Sequence, residues 1–264
     1  MLKLNKRSLS ALEQQIYFLS QGAKNNIITY DTIRSWGLAD ENVLNVVLSR
    51  MCKKGWFTRI KRGVYLLSGY GKGIVDIFCT AQFVYPGYLA FSTALYLHKL
   101  IDEMPFTIYI ATKEISGSKN LGEYTIKAVS LGKRAIGIQR IGDYWISTIP
   151  KTLYDCLHFP EYGGGYSRIL KSIHSAKMNE KQWEEFIDYV KKFDSDASCQ
   201  KIGYLLDLLK KTRMNIPSSV FSYLQKRVKS VVLLGKGTKG KFNKKWKIVD
   251  RIGEQTLLSW WYRG

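Results

Sequence analysis

Leu9, Leu12, Ile16 and Leu19 recur at helical spacing and predict a first helix, with Ser10-Ala-Leu-Glu13 spaced as a capping box at its start. A polar break over 21–26 separates it from Ile27-Ile28-Thr29, a short β-prone run, and from a brief helix over 31–36 that Gly37 closes. Asp40 is placed to cap a third helix over 41–54, in which Leu44, Val47, Leu48 and Met51 form the i, i+3, i+4, i+7 stripe of a core-facing surface. The opposite face holds Asn42, Asn45, Val46, Ser49, Arg50 and Lys53, polar groups able to hydrogen-bond base edges or phosphates and one valine suited to a thymine methyl. The runs 56–60 and 64–67 are β-prone and flank Lys61-Arg62-Gly63, where glycine supplies the positive φ of a tight turn. Helix, strand, helix, turn, helix, hairpin is the order of a winged helix-turn-helix, whose recognition helix enters the major groove while basic flanks hold phosphates. The candidate DNA contacts are Arg34 on the second helix, Asn42, Asn45, Ser49, Arg50 and Lys53 on the third, and Arg59, Lys61 and Arg62 on the wing. Winged helices also act as protein-interaction modules, and a charged helix face is also compatible with plain solvation.

Downstream, 68–73 reads as a short glycine-rich linker, and 74–83 and 91–100 read as helices. The β-prone runs 108–111, 124–129 and 144–146 are separated by turn residues, and helices are expected over 152–157, 167–175, 180–193 and 198–209. The expected fold class is α+β: a winged helix-turn-helix over 1–70, then a larger mixed α/β domain over 71–264 with a helical second half. A length of 264 residues, 45% of them apolar, suits two folded domains.

Charge sharpens this picture. The 41 Lys and Arg against 21 Asp and Glu give a formal charge of +20, a field that favours polyanions such as nucleic acid, although a surface selected for solubility has the same sign. Cys52, Cys79, Cys156 and Cys199 are far apart, and with only His98, His158 and His174 no zinc pattern arises, so no metal and no cofactor are expected. The apolar stretch 74–85 is short and interrupted by Asp76 and Gln82, so a cytoplasmic chain without membrane association is expected.

Several motifs carry a family resemblance. Arg59-Ile-Lys-Arg-Gly-Val-Tyr65 resembles the wing of the AbiEi antitoxins, and Ser92-Thr-Ala-Leu-Tyr-Leu-His98 is similar to their next helix. Pro150-Lys-Thr-Leu-Tyr-Asp-Cys-Leu157, Pro160-Glu-Tyr-Gly-Gly-Gly165 and Lys201-Ile-Gly-Tyr-Leu-Leu-Asp207 resemble later family motifs in the same order. The family usually has Arg-Leu-Gly-Tyr-Leu-Leu-Glu at the last of these, so Lys201, Ile202 and Asp207 depart from it. The resemblance implies an antitoxin of a type IV toxin–antitoxin system, active in abortive infection and phage defence. Its winged helix would repress its own promoter, and its second domain would counteract a nucleotidyltransferase toxin without a stable complex. Two copies on an inverted repeat are the expected arrangement on DNA.

The remaining constellations have plainer readings. Gly235–Lys241 satisfies G-x-x-x-x-G-K, but Phe242 follows where a magnesium-binding hydroxyl is needed, so a basic hairpin loop is expected there. Lys226, Arg227, Lys229, Lys236, Lys239, Lys241, Lys244, Lys245 and Lys247, interleaved with Phe242 and Trp246, form a candidate patch for operator DNA, RNA or a partner; a solvated lysine face fits the same residues. Cys156 and His158 point apart on a helix, and Cys156 is expected to pack with Leu153 and Leu157. His98 is expected to be structural, Gly163-Gly-Gly165 to form a turn, and Glu184, Glu185 and Asp188 to be solvated. No catalytic set stands out. The alternatives left open are a stand-alone transcription regulator and an RNA-binding protein.

Overall fold

The computed structural model describes residues 8–68 and 76–262. The chain divides into two compact units, Met1–Pro86 and Gly87–Gly264. In the first, the Ser10 hydroxyl accepts from the Glu13 N–H and the Glu13 carboxylate accepts from the Ser10 N–H, so a capping box opens α1 (Ala11–Ser20). There follow β1 (Ile27–Thr29), α2 (Tyr30–Ser35), α3 (Glu41–Lys53), β2 (Phe57–Lys61), β3 (Val64–Leu67) and α4 (Ile77–Val84). Thr29 caps α2 by accepting from Thr32 N–H, and Asp40 caps α3 by accepting from Val43 N–H. The three strands pair antiparallel in the order β1-β3-β2. Ile16, Ile33, Leu44, Leu48, Met51 and Phe57 are buried together beneath them. Of the expected linker, residues 69–73 lie outside the described residues, as do Ile74 and Val75 of the helix expected over 74–83.

Leu19 departs from expectation, being 45% exposed. Helix α1 turns Glu13, Ile16 and Ser20 inward, and Leu19 falls to the rim of that face. The reason is electrostatic as well as apolar: Lys54 Nζ lies 2.6 Å from the buried Glu13 carboxylate and ties α1 to the end of α3. Burial alone would raise the Glu13 carboxyl, but the hydrogen bonds and charge of Lys54 and the Ser10 N–H bring it net below its ordinary value. A lowered carboxyl stabilises the fold above its unfolded pKa, and that contribution is lost as pH falls through the folded pKa. Glu13→Gln is therefore expected to lower the unfolding midpoint of the first unit at neutral pH, with the gap from wild type closing below about pH 4. Thermal scans at several pH values, followed by circular dichroism, check this.

The second unit opens with β4 (Tyr88–Leu89), α5 (Phe91–Leu97), β5 (Thr107–Thr112), β6 (Gly117–Leu121), β7 (Tyr124–Ser130), β8 (Ile138–Ile141) and β9 (Tyr144–Ser147). They form one mixed sheet in the order β6-β7-β5-β4-β9-β8, with β5–β7 and β4–β9 parallel. The second half is helical: α6 (Ile149–His158), α7 (Tyr166–Ala176), α8 (Glu180–Phe193), α9 (Asp196–Leu209) and α10 (Ser218–Gln225). The chain then makes β10 (Val232–Leu234), β11 (Lys241–Asn243) and β12 (Ile248–Asp250), and ends in the short helices α11 (Glu254–Leu257) and α12 (Ser259–Tyr262). The α+β class with a helical second half is as expected. A continuous core runs through Phe91, Tyr154, Trp183, Phe186, Leu206 and Trp246.

Two expectations about the C-terminal segment are corrected. The loop 235–240 is not a hairpin: β10 runs parallel to β12 and β11 antiparallel to it, so the loop crosses from one edge of the small sheet to the other. Trp246 is fully buried rather than displayed among the lysines. Its ring lies against Gly203 of α9, where an added Cβ would sit 2.1 Å from a ring carbon, and its indole N–H donates to Asp207 at 3.1 Å.

Candidate nucleic-acid interface

Helix α3 has two faces of opposite character. Leu44, Val47, Leu48 and Met51 are buried, while Asn42, Asn45, Val46, Ser49, Arg50 and Lys53 are exposed. Lys54, next along the chain, turns the other way to Glu13 and contributes nothing to this face. Val43, which sequence reasoning passed over, is 41% exposed beside Val46 at 49%. The signal was an apolar residue three positions before Val46 and off the buried stripe.

The wing stands beside this helix. In β2 the register shifts between Arg59 and Lys61, a bulge that buries Ile60 and leaves both basic side chains exposed. Gly63, at φ +72°, makes the reversal into β3, a conformation that strains any residue with a Cβ. A surface cleft of about 430 Å³ brings Asn45 together with Arg59 and Arg62, and Tyr30 and Tyr65 line it as well. Asp31 and Glu41 also border it. Arg34 is not turned to the cleft as a lone cation: its Nη2 is 2.7 Å from Glu41 Oε1, on a pair more than half exposed. Such a pair is screened by solvent and easily exchanged for a phosphate. The geometry thus sets the exposed Asn45 amide on α3 beside the exposed guanidinium groups of Arg59 and Arg62 on the wing.

The second basic region is divided by its own acids. Asp196 holds Arg227 and Lys229, each at 2.7 Å, and Asp207 holds Lys245 at 2.8 Å. Burial by itself would raise the Asp207 carboxyl, but Lys245, the Trp246 N–H and Lys210 hold it below its ordinary value. Lys247 donates to the Lys229 carbonyl. Lys226, Lys236, Lys239, Lys241 and Lys244 remain exposed, with Phe242 52% exposed among them. Lys241 opens a strand where a phosphate-cradling loop needs a helix.

A third polar group is enclosed. Lys151 Nζ bridges both oxygens of Asp155 at 2.5 Å, and neither side chain is more than 1% exposed. Glu185, expected to be solvated, instead accepts from Thr148 and from Tyr189 at 2.6 Å. Asp194 accepts from Tyr154 at 3.0 Å and lies 2.6 Å from His158 Nε2. Cys156 is buried beside Leu153 and Leu157, and its thiol is pushed up by that burial, which suits packing rather than nucleophilic chemistry. His98 Nε2 meets the Ser147 carbonyl at 2.7 Å, and burial lowers its pKa. Among the described residues no cluster of His, Cys, Asp and Glu is arranged for a metal, and no helix is long and apolar enough to cross a membrane.

A helix-turn-helix with an exposed polar recognition face and a basic two-stranded wing defines the class: a DNA-binding transcriptional regulator. Residues 15–68, which hold all of α2, α3 and the wing, match the family model described as "Transcriptional regulator, AbiEi antitoxin". The crystal structure of the RV2827C protein from Mycobacterium tuberculosis shares the fold, with a TM-score of 0.69 over 97% of this chain and 96% of that one. The two are 13% identical, so the likeness is one of fold alone. No curated protein matches the chain.

Proposed function

We propose that this chain is the antitoxin and autorepressor of a type IV toxin–antitoxin system of the abortive-infection, phage-defence kind. In this reading residues 1–70 are the DNA-binding domain that silences the chain's own promoter in the cytoplasm. Residues 71–264 counteract a nucleotidyltransferase toxin without forming a stable complex with it, and no enzymatic step belongs to this chain. The observation that carries the DNA half is the cleft on which Asn45, Arg59 and Arg62 converge; the family match over the same segment supports it. Arg50 and Lys53 at the end of α3, with Lys61 at the wing tip, extend the positive surface along the phosphates, and a homodimer on an inverted repeat places two such surfaces one helical turn apart. The antitoxin half rests on the family description and on the downstream motifs from Ser92 to Asp207.

A gel-shift titration against the DNA upstream of the chain's own gene, with excess competitor, tests the first half. Wild type is expected to bind specifically, and Arg59→Ala/Arg62→Ala to lose about 10²- to 10⁴-fold in affinity, two charge-assisted contacts at about 1.5–3 kcal/mol each. The slope of log K against log salt is expected to fall by about 2 in that variant. Binding no tighter than to random DNA sinks the reading. Rescue of growth when the chain is expressed with the neighbouring toxin tests the second half. The exposed Phe242 among Lys236, Lys239 and Lys244 favours RNA as the second reading, and transfer RNA outcompeting duplex DNA would be its mark.

A further inference from the structure

We infer that α3 reads A·T base pairs: Asn42 and Asn45 take adenine, and Val43 and Val46 receive the thymine methyl. This rests on the winged helix being the DNA-binding unit, and it names what that unit reads. The base-contacting part of a recognition helix is its N-terminal end. In α3 that end is Asn42, Val43, Asn45 and Val46, all exposed on the first two turns. Among the described residues neither asparagine side chain has a hydrogen-bond partner, so both amides are open to accept and donate at once. That is the pattern adenine presents with N7 and the N6 amino group.

The two valines strengthen the assignment. They lie three residues apart on one helix face, 41% and 49% exposed, so each keeps a large part of its apolar surface in water. In the major groove the methyl of thymine is the one apolar group that base pairs display, and it stands beside the adenine edge of its own pair. The residues that would read guanine are missing from these turns. Arg50 and Lys53 stand in the last turns of α3. Asparagine and valine make up the exposed face of the first two turns after Glu41.

The test is a selection of bound duplexes from a randomised pool by the full chain, followed by atom-level substitution in the selected site. Adenine is exchanged for 7-deazaadenine, which lacks the N7 acceptor, and thymine for uracil, which lacks the methyl. Each exchange is made singly at the A·T pairs of the half-site. The selected half-site is expected to contain adjacent A·T pairs. With wild type, one 7-deazaadenine is expected to weaken binding by about 5- to 100-fold and one uracil by about fourfold. Asn45→Ala is expected to abolish the first penalty and Val46→Ala the second, because the group that sensed each atom is gone. A selected half-site of G·C pairs, or penalties that persist unchanged in both variants, overturns the assignment while leaving DNA binding intact. Failure of the pool to yield any enriched sequence overturns the DNA-binding reading itself and the assignment with it.

Discussion

Lys151→Met is expected to destabilise the second unit by about 3–5 kcal/mol, the cost of leaving one member of a buried ion pair without its partner. Lys151 and Asp155 lie one helical turn apart on α6 with essentially no solvent contact. Burial pushes the Asp155 carboxyl up to about 6 even with the ammonium in place, and burial also lowers the Lys151 ammonium. Methionine keeps the length and apolar stem of lysine and removes the charge, so the loss measures the stranded carboxylate and not a cavity. Without the ammonium Asp155 titrates higher still. A carboxyl whose folded pKa is raised favours the fold below its unfolded pKa and loses that advantage as pH rises through the folded value. The variant is therefore expected to be more stable at about pH 5 than at about pH 8. Lys151→Met/Asp155→Leu is expected to recover most of the loss, since neither charge then needs burying. Denaturant unfolding of the three proteins decides it: a single variant within about 1 kcal/mol of wild type would show that the pair is already relaxed by water.

Gly203→Ala carries the second large expected effect, at or above about 3 kcal/mol for one methyl group. The added carbon would meet the Trp246 ring at 2.1 and 2.4 Å, and the ring is fully buried with Phe221 beside it. No small shift accommodates that approach, because Trp246 is also fixed by its N–H bond to Asp207 and by the Gln200 amide that donates to its carbonyl at 3.0 Å. The turn between β11 and β12 is thereby released from α9. Red-shifted tryptophan emission and faster proteolytic cutting around 235–247 are expected along with a lowered unfolding midpoint. A variant that keeps wild-type emission and midpoint would mean that the ring has room to move, contrary to the packing seen.

How much was legible differs between the two units. In the first, the signals were short-range. The capping box at Ser10 and Glu13, the Asp40 cap, the Leu44 to Met51 stripe and the Gly63 turn each involve residues within a few positions of one another. A winged helix is assembled from such local pieces, so its order and its exposed face followed from them. Val43 was passed over although it stands three positions before Val46 and off the buried stripe. In the second unit, β4, β6 and β8 gave no alternating pattern. The run Gly117–Leu121 is polar, and only pairing with β7 makes it a strand.

The candidate patch at 226–247 shows the same division. Its lysines are plain in the sequence, yet Arg227, Lys229 and Lys245 are claimed by Asp196 and Asp207, from 31 to 38 positions away in the chain. The i, i+4 spacing of Lys151 and Asp155 was visible as well, but spacing alone reads as a solvated surface pair. What the amino-acid order determined by itself was the set of elements with a periodic apolar face and a cap, the basic character of the chain, and the winged-helix order. What tertiary structure alone decided was which charges stay free, which are buried in pairs, and which aromatic rings are core. Those outcomes depend on desolvation and on partners brought from distant segments, and neither is encoded in any short stretch of sequence.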